Sequence, residues 1–187
     1  TRDLIELSLK IFIIKIRKLF KTFLIVVIMK HSLKVGFSFG ITSAIITTLG
    51  LIVGLNSSTH SRTVVIGGIL MIAIADAFSD ALGIHVSEES EGKHSRREIW
   101  ESTISTFFYK FVFSLSFVVP FLIFSLANAV AVSILWGLIL LNTFSYLLAK
   151  GQRKRHVWKV VAEHFFIAII VIVATKILGE VVGKIFI

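Results

Sequence analysis

The chain has 187 residues, carries a formal net charge of +9 and is 56% hydrophobic, with a mean hydropathy of +0.91. Its apolar share exceeds the roughly 45–50% that is typical of soluble domains. The absence of cysteine excludes disulfides, cysteine metal sites and thiol chemistry. Basic residues cluster between apolar runs, which is typical of a membrane protein with basic cytoplasmic loops and argues against a nucleic-acid partner.

Residues 1–34 are apolar but repeatedly interrupted by charge, so no run there reaches the roughly 18–20 apolar residues that a span needs. This pattern predicts a basic amphipathic segment lying on an anionic membrane surface. Residues 35–187 are predicted to form one transmembrane domain of an all-α membrane protein. Its five predicted spans are residues 36–54, 63–86, 103–126, 129–149 and 160–183.

The loops predict the orientation. Lysine and arginine are concentrated in the N-terminal segment and in residues 87–102 and 150–159, whereas residues 56–62 hold only Arg62 and the turn at residues 127–128 holds none. Basic loops therefore alternate with neutral ones, which predicts an N-in, C-out topology. We expect an integral multi-pass protein of a prokaryotic cytoplasmic membrane rather than of an organelle membrane.

Small residues form one narrow stripe along the first predicted span at about 100° per residue. These are Gly36, Gly40, Ser43, Thr47, Gly50 and Gly54. Such a stripe allows another helix to approach closely in lipid. The spacing leaves two alternatives open: packing within one subunit, or a homodimer seam or pore wall that Ser43 and Thr47 would line.

Two aspartates, Asp76 and Asp80, interrupt the second predicted span. A charged side chain at that depth costs about 2.5–3.5 kcal/mol on insertion scales, so its presence indicates a partner or a function. If the helix continues straight into the polar segment, further oxygen and imidazole groups share their face. The candidate metal ligands are Asp76, Asp80, Glu88, Glu91, His94 and Glu98, a set that suits borderline divalent ions such as Fe²⁺ or Mn²⁺.

A purely structural alternative exists for both halves of this set. The glutamates alternate with Lys93, Arg96 and Arg97, as in an ordinary solvated loop, and Gly92 is expected to end the helix if it acts as a breaker. The aspartates would need partners on other helices, for which Lys110, Asn142 and Lys176 are the candidates. No motif of a hydrolase, zinc protease or phosphate loop occurs, so the sequence predicts neither an enzyme nor a permanently bound cofactor.

Two segments resemble the vacuolar iron transporter family, which includes nodulin-like iron and manganese transporters. They are residues 43–54 (SAIITTLGLIVG) and residues 77–91 (AFSDALGIHVSEESE). The resemblance extends over residues 36–187, with a proline in the third span. It implies a homodimer in which first spans from both subunits line a path, and in which Fe²⁺ or Mn²⁺ leaves the cytosol in exchange for protons.

The chain departs from the family pattern in its carboxylates. Ser43-Ala44 stands where the family usually has aspartate–glycine, Ile84-His85 where it has glutamate–tyrosine, and Asp80 where it has methionine. Our hypothesis is that Asp80 replaces the missing carboxylate in the shared pathway. Transport predicts a polar cavity at a two-fold axis, lined by Ser43, Thr47 and Asp80. The alternative function, a non-transporting membrane adaptor with a charged partner-binding face, predicts that a lysine caps Asp80 in a sealed bundle.

Overall fold

The computed structural model describes residues 30–151 and 156–186, and these are helical almost throughout. The helices are α1 (His31–Thr59), α2 (Arg62–Glu91), α3 (Arg96–Ser116), α4 (Val118–Ile123), α5 (Leu126–Gly151) and α6 (Val157–Phe186). Within the described residues, five helical stretches are long and apolar enough to cross a membrane, with α3 and α4 together forming the third. The predicted helical fold with five spans is therefore confirmed.

The helices begin earlier and end later than most of the predicted spans. Helix α1 starts at His31, inside the segment predicted to lie on the membrane surface. The remainder of that prediction, residues 1–29, falls outside the described part of the chain. The helices extend beyond the apolar windows because polar residues continue a helix as readily as apolar ones once it leaves the hydrocarbon.

Helix α1 is the centre of the bundle and packs against α2, α3, α5 and α6. Half of its apolar window is buried, against 11% for α6. Large apolar side chains on the outer faces of α2 and α6, such as Phe78, Leu82 and Ile170, are mostly exposed. Lipid is the solvent that suits such outer faces, since soluble monomers rarely expose apolar patches of this extent.

The glycines of α1 are used within the chain. A methyl group added at Gly36 would lie 2.4 Å from the Ser102 carbonyl oxygen on α3, and one at Gly40 would lie 2.8 Å from the Thr106 carbonyl oxygen. Farther along α1, a methyl group at Gly50 would meet Val171 of α6 at 2.9 Å. Of the two alternatives that the sequence left open for these glycines, the structure therefore shows packing within one subunit.

Pro120 breaks the third span. Because proline has no N–H to continue the helical ladder, α3 ends at Ser116 and α4 begins at Val118. The Phe117 N–H instead donates to the Ser114 carbonyl at 3.1 Å, a tighter three-residue turn.

The hairpin between the third and fourth spans turns three residues earlier than predicted, at residues 124–125. Phe124 adopts the extended conformation that ends α4, and Ala127 and Asn128 lie in the first turn of α5. The predicted turn at residues 127–128 is therefore wrong. The polar Asn128 marks a helix start, where backbone N–H groups have no helical partner, rather than a loop.

Candidate functional site

Three helices bring the intramembrane charges together. Asp76 and Asp80 lie one turn apart on α2 and so share a face. Helix α2 packs against α3, which carries Lys110, and against α1, which carries Ser43. The ammonium group of Lys110 contacts both carboxylates. Of the three candidate partners for the aspartates, the structure thus selects Lys110.

The Lys110 ammonium has three oxygen neighbours. Its Nζ lies 2.5 Å from Asp76 Oδ2, donates to Ser43 Oγ at 2.8 Å and donates to Asp80 Oδ2. The Ser43 hydroxyl in turn donates to Asp80 Oδ2 at 2.6 Å. The lysine side chain is fully buried, so this network replaces the water that the ammonium gives up.

The two aspartates are not equivalent. Asp80 Oδ2 accepts hydrogen bonds from both Lys110 and Ser43. Asp76 Oδ2 is at ion-pair distance from the ammonium but has no partner that meets hydrogen-bond geometry. The Asp76 side chain is 27% exposed and that of Asp80 is 18% exposed. Asp80 is therefore the more firmly held carboxylate, and Asp76 the more accessible one.

The cluster carries excess negative charge. Two carboxylates and one ammonium leave one unit of negative charge when all three groups are ionised. Buried ion pairs tolerate desolvation only with good geometry and additional hydrogen bonds, and removing one partner costs about 3–5 kcal/mol. Asp80 and Lys110 meet this condition through Ser43. Asp76 meets it least well, and it is the carboxylate to which an exchangeable cation would have the better access.

An open groove of about 900 Å³ runs between α1 and α2 beside Asp76. Its lining is mostly apolar, and its polar members include Asp76, Ser79 and Thr47. Of the two residues predicted to line a pathway, Thr47 thus faces this groove, whereas Ser43 is engaged with Asp80 and Lys110. Within the described subunit, the groove contains Thr47 but neither Ser43 nor Asp80, so it is not the polar cavity that the transport hypothesis predicts. Lys110 caps Asp80 as the adaptor hypothesis predicts, although the open groove means that the bundle is not sealed.

The part of the predicted ligand set that follows Asp80 is dispersed. Glu88 is buried and accepts a hydrogen bond from Ser102 of α3. Glu98 closes a capping box with Ser95 at the start of α3. Glu91 lies 3.7 Å from His94. Glu88 and Glu98 thus form hydrogen bonds within the local helical structure, which is the purely structural alternative for these residues.

Gly92 explains this dispersal. It adopts a left-handed conformation (φ 63°) and ends α2 directly after Glu91, as glycine commonly does at this helix position. The stripe that assumed a straight helix therefore stops there, and His94 and Glu98 do not continue it. Across residues 30–151 and 156–186, no three His, Asp or Glu side chains are grouped so as to hold a metal ion.

The other candidate partners of the aspartates are engaged elsewhere. The Asn142 amide donates to the Leu138 carbonyl at 2.8 Å, and Lys176 lies 3.7 Å from Glu180 at the far end of α6. The one signal in the sequence that singles out Lys110 is its position as the sole charged residue between residues 103 and 126.

Comparison with known proteins leaves the chain to be interpreted from its own residues. No protein-family model matches it, and no curated protein matches it. The resemblance to vacuolar iron transporters therefore stays a prediction that rests on the two sequence segments.

Proposed function

We propose that the protein is a proton-coupled transporter that exports a divalent cation, Fe²⁺ or Mn²⁺, from the cytosol. The observation that carries this proposal is the Asp76–Lys110–Asp80 cluster, which lies inside spanning helices and beside an open groove. Ionisable groups at such depth commonly mark ion pathways and proton relays. Excess negative charge at the groove is the electrostatic requirement for admitting a cation.

Asp76 is the proposed point of entry for the cation. It is the more exposed carboxylate and it lines the groove, whereas Asp80 is tied to Lys110 and Ser43. The sequence favours Asp80 over Asp76, because Ser43 lacks the charge of the family's aspartate, whereas the contacts favour the reverse order. In this scheme Asp80 and Ser43 hold the lysine, and Asp76 exchanges cations with the groove.

A second subunit would complete the path. The groove lies between α1 and α2 and is open on one side, so a second copy packed over that face would turn it into an enclosed passage. The resemblance implies the same arrangement, with first spans from both subunits along the path. The glycines of α1 contact α3 and α6, so the proposed dimer uses the groove face instead of the glycines.

The proposed topology places the acidic end of α2 in the cytoplasm. Basic residues are concentrated at 87–102 and 150–159, which the positive-inside rule assigns to the cytoplasmic side. Glu91 is exposed at this end and would attract cations towards the bundle, without forming a fixed binding site.

The test is Mn²⁺ flux into proteoliposomes that contain the full chain. We expect Asp76→Asn to lower the flux by about tenfold or more, because the loss of one negative charge weakens the attraction of the pathway for the cation by a comparable factor. Glu180→Gln is the matched control, since this exposed carboxylate lies beside Lys176 near the far end of α6. Undiminished flux in Asp76→Asn and in Asp80→Asn would refute the proposed pathway.

A second candidate function is a non-transporting membrane adaptor. It is favoured by the lysine itself, because Lys110 caps Asp80 and could make the cluster a purely structural cross-link between α2 and α3. For an adaptor we expect no Mn²⁺ or Fe²⁺ binding by calorimetry and no flux by the wild-type protein. Replacing all three charged residues by leucine would then preserve assembly, as apolar replacement of buried ion clusters often does.

A further inference from the structure

We propose that the Lys110 ammonium is the resident cation of the Asp76–Asp80 site, and that the transported cation binds by displacing it. This inference rests on the proposed function and adds a competitor built into the chain. It assigns to Lys110 the role of setting how tightly a cation is held and how fast it leaves. Nothing in the sequence segments that resemble a known family implies this role.

The first argument is positional. The ammonium is surrounded by oxygen atoms from two helices, Ser43 Oγ of α1 and the Oδ2 atoms of Asp76 and Asp80 of α2. Lys110 itself belongs to a third helix, α3. Carboxylate oxygens are among the ligands that suit Mn²⁺. The lysine nitrogen therefore occupies the place at which those oxygens converge, where a metal ion would otherwise be bound.

The second argument is that the ammonium is carried on a flexible stem, whereas the Lys110 backbone is held in place. The backbone of Lys110 is packed against α1, since a methyl group at Gly40 would lie 3.2 Å from the Lys110 backbone nitrogen. The side chain is a flexible four-carbon stem that ends in a point charge. In this proposal the stem moves to release both carboxylates while α3 stays in place.

The third argument concerns charge. With the ammonium in place the site carries one excess negative charge, and without it two. When the cation leaves, a returning lysine would pair with both carboxylates, so the bundle would not hold two unpaired charges in a low-dielectric environment. It would also keep cation binding weak enough for release, which any conduction pathway requires.

The test is Mn²⁺ binding, measured by electron paramagnetic resonance on the full chain in lipid nanodiscs, together with Mn²⁺ flux. We expect Lys110→Met to bind Mn²⁺ at least about tenfold more tightly, because the net charge facing the ion doubles. Its turnover should fall despite the tighter binding. In Asp76→Asn/Lys110→Met the excess charge returns to one, and the affinity should return towards that of the wild type.

Two further variants complete the design. Lys176→Met removes an exposed lysine from α6 and should change neither affinity nor flux. Lys110→Gln removes the charge but keeps hydrogen-bond donors for Ser43 and Asp80, and it should also bind Mn²⁺ more tightly, so it replaces Lys110→Met if that variant does not assemble.

The outcomes separate this inference from the proposed function. If the wild-type protein transports Mn²⁺ but both Lys110 variants bind it with unchanged affinity, the resident-cation role is overturned and transport still stands. A gain in affinity without any wild-type flux would support the resident cation and refute transport. Tighter binding with slower turnover supports both.

Discussion

A single methyl group at Gly36 tests the packing on which the bundle depends. In Gly36→Ala the added carbon would lie 2.4 Å from the Ser102 carbonyl oxygen, 2.6 Å from Ser105 Cβ and 2.7 Å from the Thr106 backbone nitrogen. Two of these three atoms belong to the α3 backbone, so relief requires a shift of α1 against α3 rather than a side-chain rotation. Overpacking costs about 1–3 kcal/mol, and we expect a value near the upper end.

The measurement is the thermal unfolding midpoint of the purified full chain in detergent. At about 2–4 °C per kcal/mol for a chain of this size, a loss of about 3 kcal/mol corresponds to a fall of about 6–12 °C. Gly83→Ala is the matched control, because the same methyl group there meets no atom within 4 Å. That variant should match or exceed the wild-type midpoint, since alanine is the better helix former.

The same pair of variants separates packing within one subunit from a dimer seam. If Gly36 served a seam between subunits, Gly36→Ala would shift the oligomer distribution in light scattering and leave the midpoint of the dissociated chain unchanged. We expect the midpoint to fall under conditions in which the wild-type protein is monomeric as well. A Gly36→Ala protein as stable as the Gly83→Ala control would refute the close approach of α1 and α3.

Two further substitutions test the end of α2 and the start of α3. Ser102→Ala removes the hydroxyl that donates to the buried Glu88. We expect this variant to lose about 1–3 kcal/mol in the free energy of unfolding. Adding Glu88→Gln to Ser102→Ala should cause no further loss. Ser95→Ala removes the capping box that it forms with Glu98 and should cost about 0.5–2 kcal/mol, measured as faster amide hydrogen exchange in the first turn of α3; unchanged exchange there would contradict the capping role.

The number of spans could be predicted because hydropathy acts over whole windows. A run of about twenty apolar residues crosses a membrane whatever its neighbours are, and all five predicted spans lie within or overlap the described helices. The residues at which individual helices begin and end were harder to predict. The sequence predicts a turn at Asn128, but this residue lies in the first turn of α5, because the chain already turns at Phe124.

The candidate site could be predicted in part. The cost of burying charge is a property of one helix, so Asp76 and Asp80 stood out without any knowledge of their surroundings. Their partner depended on the depth and rotation of α3 relative to α2, which no pattern within either helix contains. The sequence therefore leaves Lys110 as one of three candidates, and the packing of α2 against α3 selects it.

Glu88 shows the opposite difficulty. Its charge and position beside other glutamates suggested a solvated loop or a metal ligand, whereas it is buried in the last turns of α2 against Ser102. A buried carboxylate with one good donor and a solvated carboxylate look alike in sequence, because the difference lies in a hydroxyl on another helix.

The contact between α1 and α6 has a consequence for how the chain assembles during synthesis. A methyl group at Gly179 would lie 2.3 Å from the Gly54 carbonyl oxygen, so the earliest and the latest of the described helices touch backbone to backbone. Until α6 has entered the bilayer, this face of α1 has only lipid or a temporary neighbour against it. The bundle therefore closes late. A translation product that stops before residue 157 would present the small residues around Gly50 and Gly54 to the insertion machinery or to another chain.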